Sequence, residues 1–254
     1  MKKRRRIVKI ALAQIKYSLI SEENVEKIRK YIRQVKRNGA EIVCFPEACL
    51  HQSKQFEIEH KFISEIREEC RKNRIWAIIN DDIKIKSKYY NAALLINRNG
   101  KIAGVYKKIN SYGDEGTEKG KKVFVFKTDF AKIGIAICWD LRFPEIFKKM
   151  KIRGAEIVFC PARWCYEFKA YIAKRKQKEK RMLKSLVRAR AYENLFFVAL
   201  VNPVIKGKYF RDLVSYSALA SSQGIVKKIE DKEGIIYVNL NLNEIKKAEK
   251  IYPF

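Results

Sequence analysis

Three residue types that can together cleave an amide bond follow apolar runs in this sequence. Cys138 closes the run IGIAIC, Glu47 follows EIVCFP, and Lys107 and Lys108 close KIAGVYKK. A cysteine can attack a carbonyl carbon, a glutamate can act as general base, and a lysine can stabilise the oxyanion that forms. These side chains together predict nucleophilic hydrolysis of a carbon–nitrogen bond.

The segment after Cys138 predicts a sharp change of chain direction. Cys138 is followed by WDLRFPE, in which Pro144 fits the first turn of a helix. At such a bend the thiol would lie beside free helix N–H groups, and we expect these to lower its pKa. A cysteine that closes a strand is more often structural, so the catalytic interpretation of Cys138 depends on its partners.

Glu47 is a better candidate base than either histidine. His51 and His60 lie in a polar stretch that predicts surface positions. At the end of a buried strand, desolvation would raise the pKa of the Glu47 carboxyl toward neutrality. For the cation, side-chain alternation points Lys107 and Lys108 to opposite faces of one strand and does not choose between them.

The composition predicts a soluble cytoplasmic protein with one domain over residues 1–254. Hydrophobic residues make up 47% of the 254, and no Pro/Gly/Ser-rich linker divides them. The apolar runs are far shorter than the roughly 20 residues of a membrane span. The six cysteines form no C-x-x-C pair, so we expect neither a disulfide framework nor a structural zinc site.

The net charge of +28 raises the question of a nucleic-acid partner. The charge is spread along the chain, with local peaks at residues 2–6 and 169–190. Apolar residues interrupt the second peak at helical spacing, which predicts a helix with a solvated basic face. No RNA-binding or zinc-finger motif accompanies it, so we do not expect nucleic acid to be a partner.

Strands and helices alternate along the chain, which predicts an α/β fold with covered sheets. Helices are predicted over residues 22–37 (Ser21 as N-cap, Gly39 as stop), 56–72, 145–151 and the basic 169–190, and strands over the tail from residue 215. The segment GAEIV occurs twice, from Gly39 and from Gly154. Only the first copy runs on to a carboxylate, Glu47, whereas the second reaches Ala162. The repeat predicts two similar halves whose strand ends converge on one crevice.

Several segments together resemble the nitrilase superfamily of carbon–nitrogen hydrolases. FPEACL surrounds Glu47, YKKIN surrounds Lys108 and CWDLRFPE surrounds Cys138, and the tail segments ARAYENLFFV and EGIIYVNLNLNEI also fit. The resemblance implies a four-layer α-β-β-α sandwich with internal pseudo-symmetry. It also selects Lys108 over Lys107, because the family's lysine is the second residue after the tyrosine.

The resemblance implies one further site residue, a second glutamate, and the residue types suggest two more, Trp139 and Arg142. A second glutamate is expected in the loop NSYGDEGTEKGKK, where Glu115 fits best and Glu118 competes. The backbone N–H near Trp139 would help to hold the oxyanion. Arg142 would meet a substrate carboxylate or pair locally with Asp140 or Glu145.

The sequence departs from the family's pattern in places that concern the substrate. Asn110 stands where histidine commonly follows the lysine, and Tyr216 replaces a usual glycine before Ser217. The segment after Glu47 is also short.

The implied activity is omega-amidase-like hydrolysis of a small carboxamide to an acid and ammonia through a thioester. This activity requires no metal or organic cofactor. Members of the family usually form dimers, so the resemblance also implies a homodimer or larger assembly. The alternatives are hydrolysis of an N-carbamoyl substrate, and a non-catalytic basic scaffold that binds nucleic acid or an acidic partner.

Overall fold

The structure, a computed structural model, describes residues 6–113, 115–166, 173–204 and 213–253, without the side chains of residues 173–176. Residues 2–5 of the first basic peak and 169–172 of the second therefore lie outside the described residues.

Two mixed β-sheets and five helices make up the described chain. The first sheet contains, in spatial order, β13 (Gly234–Asn241), β1 (Ile7–Gln14), β2 (Ile42–Cys44), β4 (Trp76–Ile85), β5 (Lys88–Ile96) and β6 (Ile102–Lys107), with β3 (Gln55–Glu57) paired to β4. The second contains β12 (Gly224–Glu230), β11 (Tyr216–Ser221), β10 (Phe197–Val201), β9 (Ile157–Pro161), β8 (Lys132–Ile135) and β7 (Val125–Lys127). The helices are α1 (Ser21–Arg37), α2 (Lys61–Asn73), α3 (Pro144–Ile152), α4 (Ala173–Asn194) and α5 (Asn243–Ile251).

The sheets stack face to face between two layers of helices. Alternate residues of β1, such as Ile10 and Leu12, belong to the core shared with the second sheet, and that core extends to α3 and α4. The intervening residues Ala11 and Ala13 belong to a second core with α1 and α2. This period-2 division of each strand produces the α-β-β-α order. The predicted four-layer fold is thereby confirmed.

The two halves repeat one strand plan. In the first sheet β1, β2 and β4 run parallel, with antiparallel strands on both sides. In the second, β8, β9 and β10 run parallel between antiparallel neighbours. The GAEIV copies form β2 and β9, the middle strand of each parallel trio. Gly39 (φ 73°) and Gly154 (φ 80°) follow α1 and α3 in the left-handed region that glycine adopts without strain.

The structure corrects three local predictions. Residues 55–57 form β3, and the helix predicted over 56–72 begins at Lys61, where the His60 side chain accepts a hydrogen bond from the Phe62 N–H. The tail ends in α5, not only in strands. Ser21 is the first residue of α1 rather than its cap, and its hydroxyl has no partner among the described residues.

The basic helix α4 supports the solvated-face interpretation within its described side chains. Leu183, Val187 and Ala191 are buried at a spacing of four residues. Lys178, Arg181, Lys184 and Arg188 are exposed. The helix thus covers the second sheet with a narrow apolar stripe and turns these four charges outward. Arg190 of the same helix is an exception: it is buried and donates hydrogen bonds to the Leu141 and Arg142 carbonyl oxygens.

Candidate active site

A cavity of about 270 Å³ lies where the ends of the two sheets meet. Its volume lies just below the usual range for ligand sites, about 300–1,000 Å³. Its wall includes Glu47, Lys108, Glu115, Cys138 and Trp139, five of the six predicted site residues. The other lining residues are Ala48, Gln52, Asp82, Asn91, Tyr112, Arg163, Trp164 and Cys165.

Cys138 begins a short 3-10 helix, Cys138–Arg142, that bends the chain from β8 into α3. Its φ of 45° is left-handed, an unusual conformation for a residue with a side chain. The strand itself ends at Ile135, before the predicted end, whereas Pro144 is the first residue of α3 as predicted. The bend presents the Cys138 thiol to the cavity.

Asp140 holds this bend in place from inside the protein. Its fully buried carboxylate accepts hydrogen bonds from the Tyr106 hydroxyl (2.8 Å) and the Ile137 N–H (3.0 Å). The Asn110 N–H (2.8 Å) and side-chain amide (3.1 Å) donate to its other oxygen. Asn110, which departs from the family's usual histidine, thus ties the chain after Lys108 to the chain after Cys138.

Glu47 is held by donors from three parts of the chain. Its Oε1 accepts hydrogen bonds from Lys108 Nζ (2.9 Å) and Asn91 Nδ2 (2.7 Å). Its Oε2 accepts one from the Arg163 N–H (2.8 Å). The Cys138 thiol also hydrogen-bonds to this carboxylate. One buried carboxylate therefore touches both the candidate nucleophile and the candidate cation.

The two GAEIV copies meet at this carboxylate. The Glu47 N–H donates to the Ala162 carbonyl (3.3 Å), and the next residue after Ala162, Arg163, returns the N–H bond to the Glu47 side chain. The first copy supplies the acid and the second supplies backbone groups that orient it.

Lys108 is shared by two carboxylates. Its Nζ lies 2.9 Å from Glu47 and 2.6 Å from Glu115, and the lysine is almost fully buried. Burial alone would lower the pKa of this ammonium, but the negative charges of Glu47 and Glu115 raise the pKa above its usual value. Lys108 is thus a fixed cation beside the thiol.

The pKa directions at Glu47 and Cys138 reverse both sequence-based expectations. Burial pushes the pKa of the Glu47 carboxyl up, but Lys108 and the hydrogen bonds from Cys138 and Asn91 hold it below its usual value. Burial and the neighbouring Glu47 carboxylate raise the pKa of the Cys138 thiol, an effect larger than the opposing field of Lys108. The resting pair is therefore a thiol beside a carboxylate.

Trp139 and Arg142 occupy different positions relative to the cavity. Trp139 lines it, and its ring packs against Tyr112 (centroids 4.6 Å apart) and Trp164 (5.3 Å). Arg142 is exposed, lies outside the lining, and places its guanidinium 4.5 Å from the Trp139 ring centroid. No ion pair joins Arg142 to Asp140 or Glu145 in the described part of the chain.

The competing candidates lie away from the cavity. Glu118 pairs with Lys88 at 2.8 Å on the surface, and the Lys107 ammonium lies 3.5 Å from the Tyr90 ring centroid. His60 caps α2. His51 is buried, contrary to its predicted surface position, and its Nε2 lies 3.1 Å from the Leu19 carbonyl oxygen.

Four polar residues at the site were not predicted from the sequence: Asn80, Asp82, Asn91 and Arg163. Asn80 Nδ2 donates to Asn91 Oδ1 (2.8 Å), which fixes the amide that Asn91 turns toward Glu47. The sequence does mark Asn80 and Asp82, because the polar residues NDD follow directly after the apolar run RIWAII. Polar residues inside a buried strand need partners, and here the site supplies them.

Among the described residues, no group of three or more His, Cys, Asp or Glu side chains could hold a metal ion. The helices of the described chain also include none with the length and apolar character required to cross a membrane.

Comparisons with known proteins identify the family. The carbon-nitrogen hydrolase family pattern matches residues 9–250. The human omega-amidase NIT2 is 24% identical over 277 residues, which cover 96% of this chain and 92% of that protein. The N-carbamoylputrescine amidase of Arabidopsis thaliana is 28% identical, with 62% of this chain and 59% of that protein covered.

The fold agrees with the family assignment. The crystal structure of Saccharomyces cerevisiae Nit3, a member of the nitrilase superfamily, superimposes with a TM-score of 0.84 at 20% identity, covering 98% of this chain and 95% of that one. The superposition shows the shared fold. The family match shows that the chain belongs to the carbon–nitrogen hydrolases of the nitrilase superfamily, enzymes that cleave the C–N bonds of amides by hydrolysis.

Proposed function

We propose that the protein hydrolyses a small linear carboxamide to a carboxylic acid and ammonia, in the manner of an omega-amidase, with Cys138 as nucleophile. The observation that carries this proposal is the contact of one buried carboxylate, Glu47, with both the Cys138 thiol and the Lys108 ammonium. A base, a nucleophile and a fixed cation in one cavity are the groups that acyl transfer requires.

In the first step Glu47 accepts the thiol proton while the Cys138 sulfur bonds to the amide carbon. The carbonyl oxygen becomes an oxyanion, which Lys108 Nζ and the Trp139 N–H stabilise. This N–H lies in the first turn of the 3-10 helix, where backbone donors have no partner within the helix. One such donor contributes about 3–4 kcal/mol to transition-state stabilisation.

The remaining steps return the enzyme to its starting state. Glu47 gives its proton to the nitrogen, the C–N bond breaks, and ammonia leaves a thioester on Cys138. Glu47 then takes a proton from water as the water oxygen bonds to the thioester carbon. The C–S bond breaks, the acid leaves, and the sulfur regains a proton from Glu47.

Two further residues have supporting roles in this proposal. Glu115 is the second carboxylate that holds the Lys108 ammonium, and its own position is fixed by the Tyr112 N–H (2.9 Å). Arg142 acts through Trp139, since its guanidinium covers the ring and restrains it.

A panel of small primary amides tests the activity through ammonia release. We expect release by the wild type and by Cys160→Ala, which alters a buried cysteine of β9 in the second GAEIV copy. Cys138→Ala should lose at least about 1000-fold in kcat/KM. Equal rates for Cys138→Ala and wild type, or no release from any amide, would contradict the proposal.

An N-carbamoyl substrate is the second candidate, supported by the similarity to the plant N-carbamoylputrescine amidase. The same attack on a ureido carbon would yield an amine, carbon dioxide and ammonia. Carbon dioxide release from ureido compounds, with no turnover of carboxamides, would favour this alternative.

We also propose that residues 1–254 form one domain and assemble as a homodimer or larger homo-oligomer. Large apolar side chains are exposed on α3, α4 and the tail: Ile152, Met182, Tyr192, Ile251 and Tyr252. Such a surface favours contact with a second copy. Light scattering during gel filtration tests this, and a monomer mass at micromolar concentration would contradict it.

The cytoplasm is the compartment we propose, because five of the six cysteines are buried free thiols, namely Cys44, Cys49, Cys70, Cys138 and Cys160. We further propose that the basic surface does not serve nucleic-acid binding. Retention on immobilised DNA or RNA at 150 mM salt would contradict the second point.

A further inference from the structure

Asp82 is a carboxylate on the cavity wall that the proposed chemistry does not use. It lies on β4 and lines the same cavity as Glu47 and Cys138. In the described part of the chain, no cation forms an ion pair with the Asp82 carboxylate and no donor is hydrogen-bonded to it. Glu47 and Glu115, by contrast, are both bonded to Lys108.

The strand geometry holds Asp82 beside the reacting groups. Asp82 is paired with Asn91 of β5 on one side and with Gln55 of β3 on the other. Asn80 and Asp82 are two residues apart and therefore share a face of the sheet. On that face Asn80 bonds Asn91, which bonds Glu47. A hydrogen-bonded strand thus fixes the place of the Asp82 backbone next to the catalytic carboxylate.

The described side chains around Asp82 carry more negative than positive charge. Among the lining residues that the structure describes, Glu47, Glu115 and Asp82 face two cations, Lys108 and Arg163. Burial first, and then the charges of Glu47 and Glu115, raise the pKa of Asp82 to about 6, against the weaker fields of Lys108 and Arg163. The raised pKa means that this part of the cavity disfavours a further negative charge, although the net charge of the chain is +28. Such a site favours a ligand group with a positive charge.

The rest of the wall suits the carbon chain of such a ligand. Tyr112, Trp139 and Trp164 line the cavity with aromatic surface. Aromatic rings bury alkyl groups and attract ammonium groups through their faces.

We infer that Asp82 is a specificity-determining residue that binds a protonated amine at the far end of the substrate. This inference rests on the proposed amidase function, and it narrows the substrate class to amides of short chains that end in an ammonium group. The likeness to an omega-amidase then concerns the hydrolysis of the amide and not the far end of the substrate. The arriving ammonium supplies the partner that Asp82 lacks among the residues that the structure describes.

Three amides of equal length test the inference: 5-aminopentanamide, pentanamide and glutaric acid monoamide, whose far ends are cationic, neutral and anionic. At pH 7.5 we expect kcat/KM to be at least about 10-fold higher for the cationic amide than for the neutral one, mainly through KM. The anionic amide should be the poorest substrate. A neutral or anionic amide that matches the cationic one would overturn the inference.

Asp82→Asn assigns the preference to this residue. We expect the cationic-to-neutral ratio of kcat/KM to fall about 10-fold or more in Asp82→Asn and to stay at the wild-type value in Glu118→Gln. Glu118→Gln removes an equal charge from the surface, outside the cavity. An unchanged ratio in Asp82→Asn would overturn the inference even though hydrolysis itself continues.

A binding experiment separates this inference from the proposed function. Iodoacetamide labelling of Cys138, followed by peptide mass spectrometry, reports access to the cavity without turnover. Pentylammonium should slow the labelling of Cys138 in the wild type but not in Asp82→Asn, and pentanoate should not slow it. Equal protection by both ions, or protection that persists in Asp82→Asn, would contradict the inference.

Discussion

Lys108 Nζ lies 2.9 Å from Oε1 of Glu47, and both side chains are buried. These residues are 61 positions apart in the chain, and the contact forms because the ends of β2 and β6 face the same cavity. The ion pair keeps Glu47 ionised despite its burial, so the carboxylate is ready to accept a proton from Cys138.

Lys108→Met should abolish most of the activity. It removes an oxyanion donor and leaves Glu47 and Glu115 without their shared cation, so we expect kcat to fall at least about 100-fold. Lys107→Met is the matched control, because the neighbouring ammonium lies over Tyr90 outside the cavity. Ammonia release measures both variants, and similar losses in the two would argue against the assigned role of Lys108.

The pH dependence of kcat/KM on a neutral amide should have a flat region across neutral pH. Activity requires ionised Glu47 and falls as pH drops through its pKa, which lies below the usual 4.5. The alkaline limit belongs to the Cys138 thiol, whose pKa lies well above the usual 9.0. The measurement is kcat/KM from pH 5 to pH 9, with recovery of activity checked at pH 7.5. A rise or fall of kcat/KM between pH 6 and 8 would contradict the assignment of these two groups.

Asp82→Asn should make the protein more stable at neutral pH. The folded-state pKa of Asp82, about 6, exceeds the unfolded value of 3.8. The folded state therefore binds the proton more tightly, and stability is lost as pH rises through about 6. Because Asp82 is partly exposed to solvent, we expect removal of its charge to raise the free energy of unfolding by only about 1–2 kcal/mol, which corresponds to an increase of about 2–6 °C in Tm.

Asp81→Asn is the contrasting variant for that measurement. The Asp81 carboxylate accepts hydrogen bonds from the N–H groups of Leu50, His51 and Asp82. Burial raises the pKa of Asp81 too, but the three N–H bonds oppose that rise. An amide has only one accepting oxygen, and the loss of a partner for a buried N–H should lower the free energy of unfolding by about 1–3 kcal/mol. If Asp82→Asn unfolded at a lower temperature than the wild type at pH 7.5, the Asp82 carboxylate would have a stabilising partner, which would contradict this prediction.

The preference for a cationic amide should weaken in acid. Asp82 loses its charge below about pH 6, whereas the substrate ammonium stays protonated. The ratio of kcat/KM for 5-aminopentanamide over pentanamide should therefore fall between pH 7.5 and pH 5 in the wild type. The same ratio should be independent of pH in Asp82→Asn. A parallel fall of the ratio in both proteins would mean that another titratable or charged group near Asp82 causes the pH dependence. Those groups are Asp81, Glu47, Glu115, Lys108 and Arg163.

Much of the fold could be predicted from local patterns. The continuous apolar runs marked the parallel strands, and the repeated GAEIV predicted the two equivalent strands β2 and β9. Glu47, Lys108 and Cys138 could be selected because each follows such a strand, although the choice of Lys108 over Lys107 required the family resemblance. Their position around one cavity agrees with those predictions, while their roles stay proposals.

Other features depend on contacts that no local pattern carries. The pairing of Asp82 with Asn91 is set by the register of β4 and β5, and Arg163 reaches Glu47 across 116 residues of chain. The pKa direction at Glu47 depends on the tertiary distance to Lys108, which the sequence does not contain. Short elements such as β3 were missed because three residues show no periodicity.

The covalent state of Cys138 during turnover tests the proposed chemistry most directly. Acid quenching while 5-aminopentanamide or pentanamide is being hydrolysed, followed by peptide mass spectrometry, should show the acyl group of the amide on the peptide that contains Cys138. The other five cysteines should stay unmodified. An acyl group on a different side chain, or full turnover by Cys138→Ala, would contradict a thioester at Cys138.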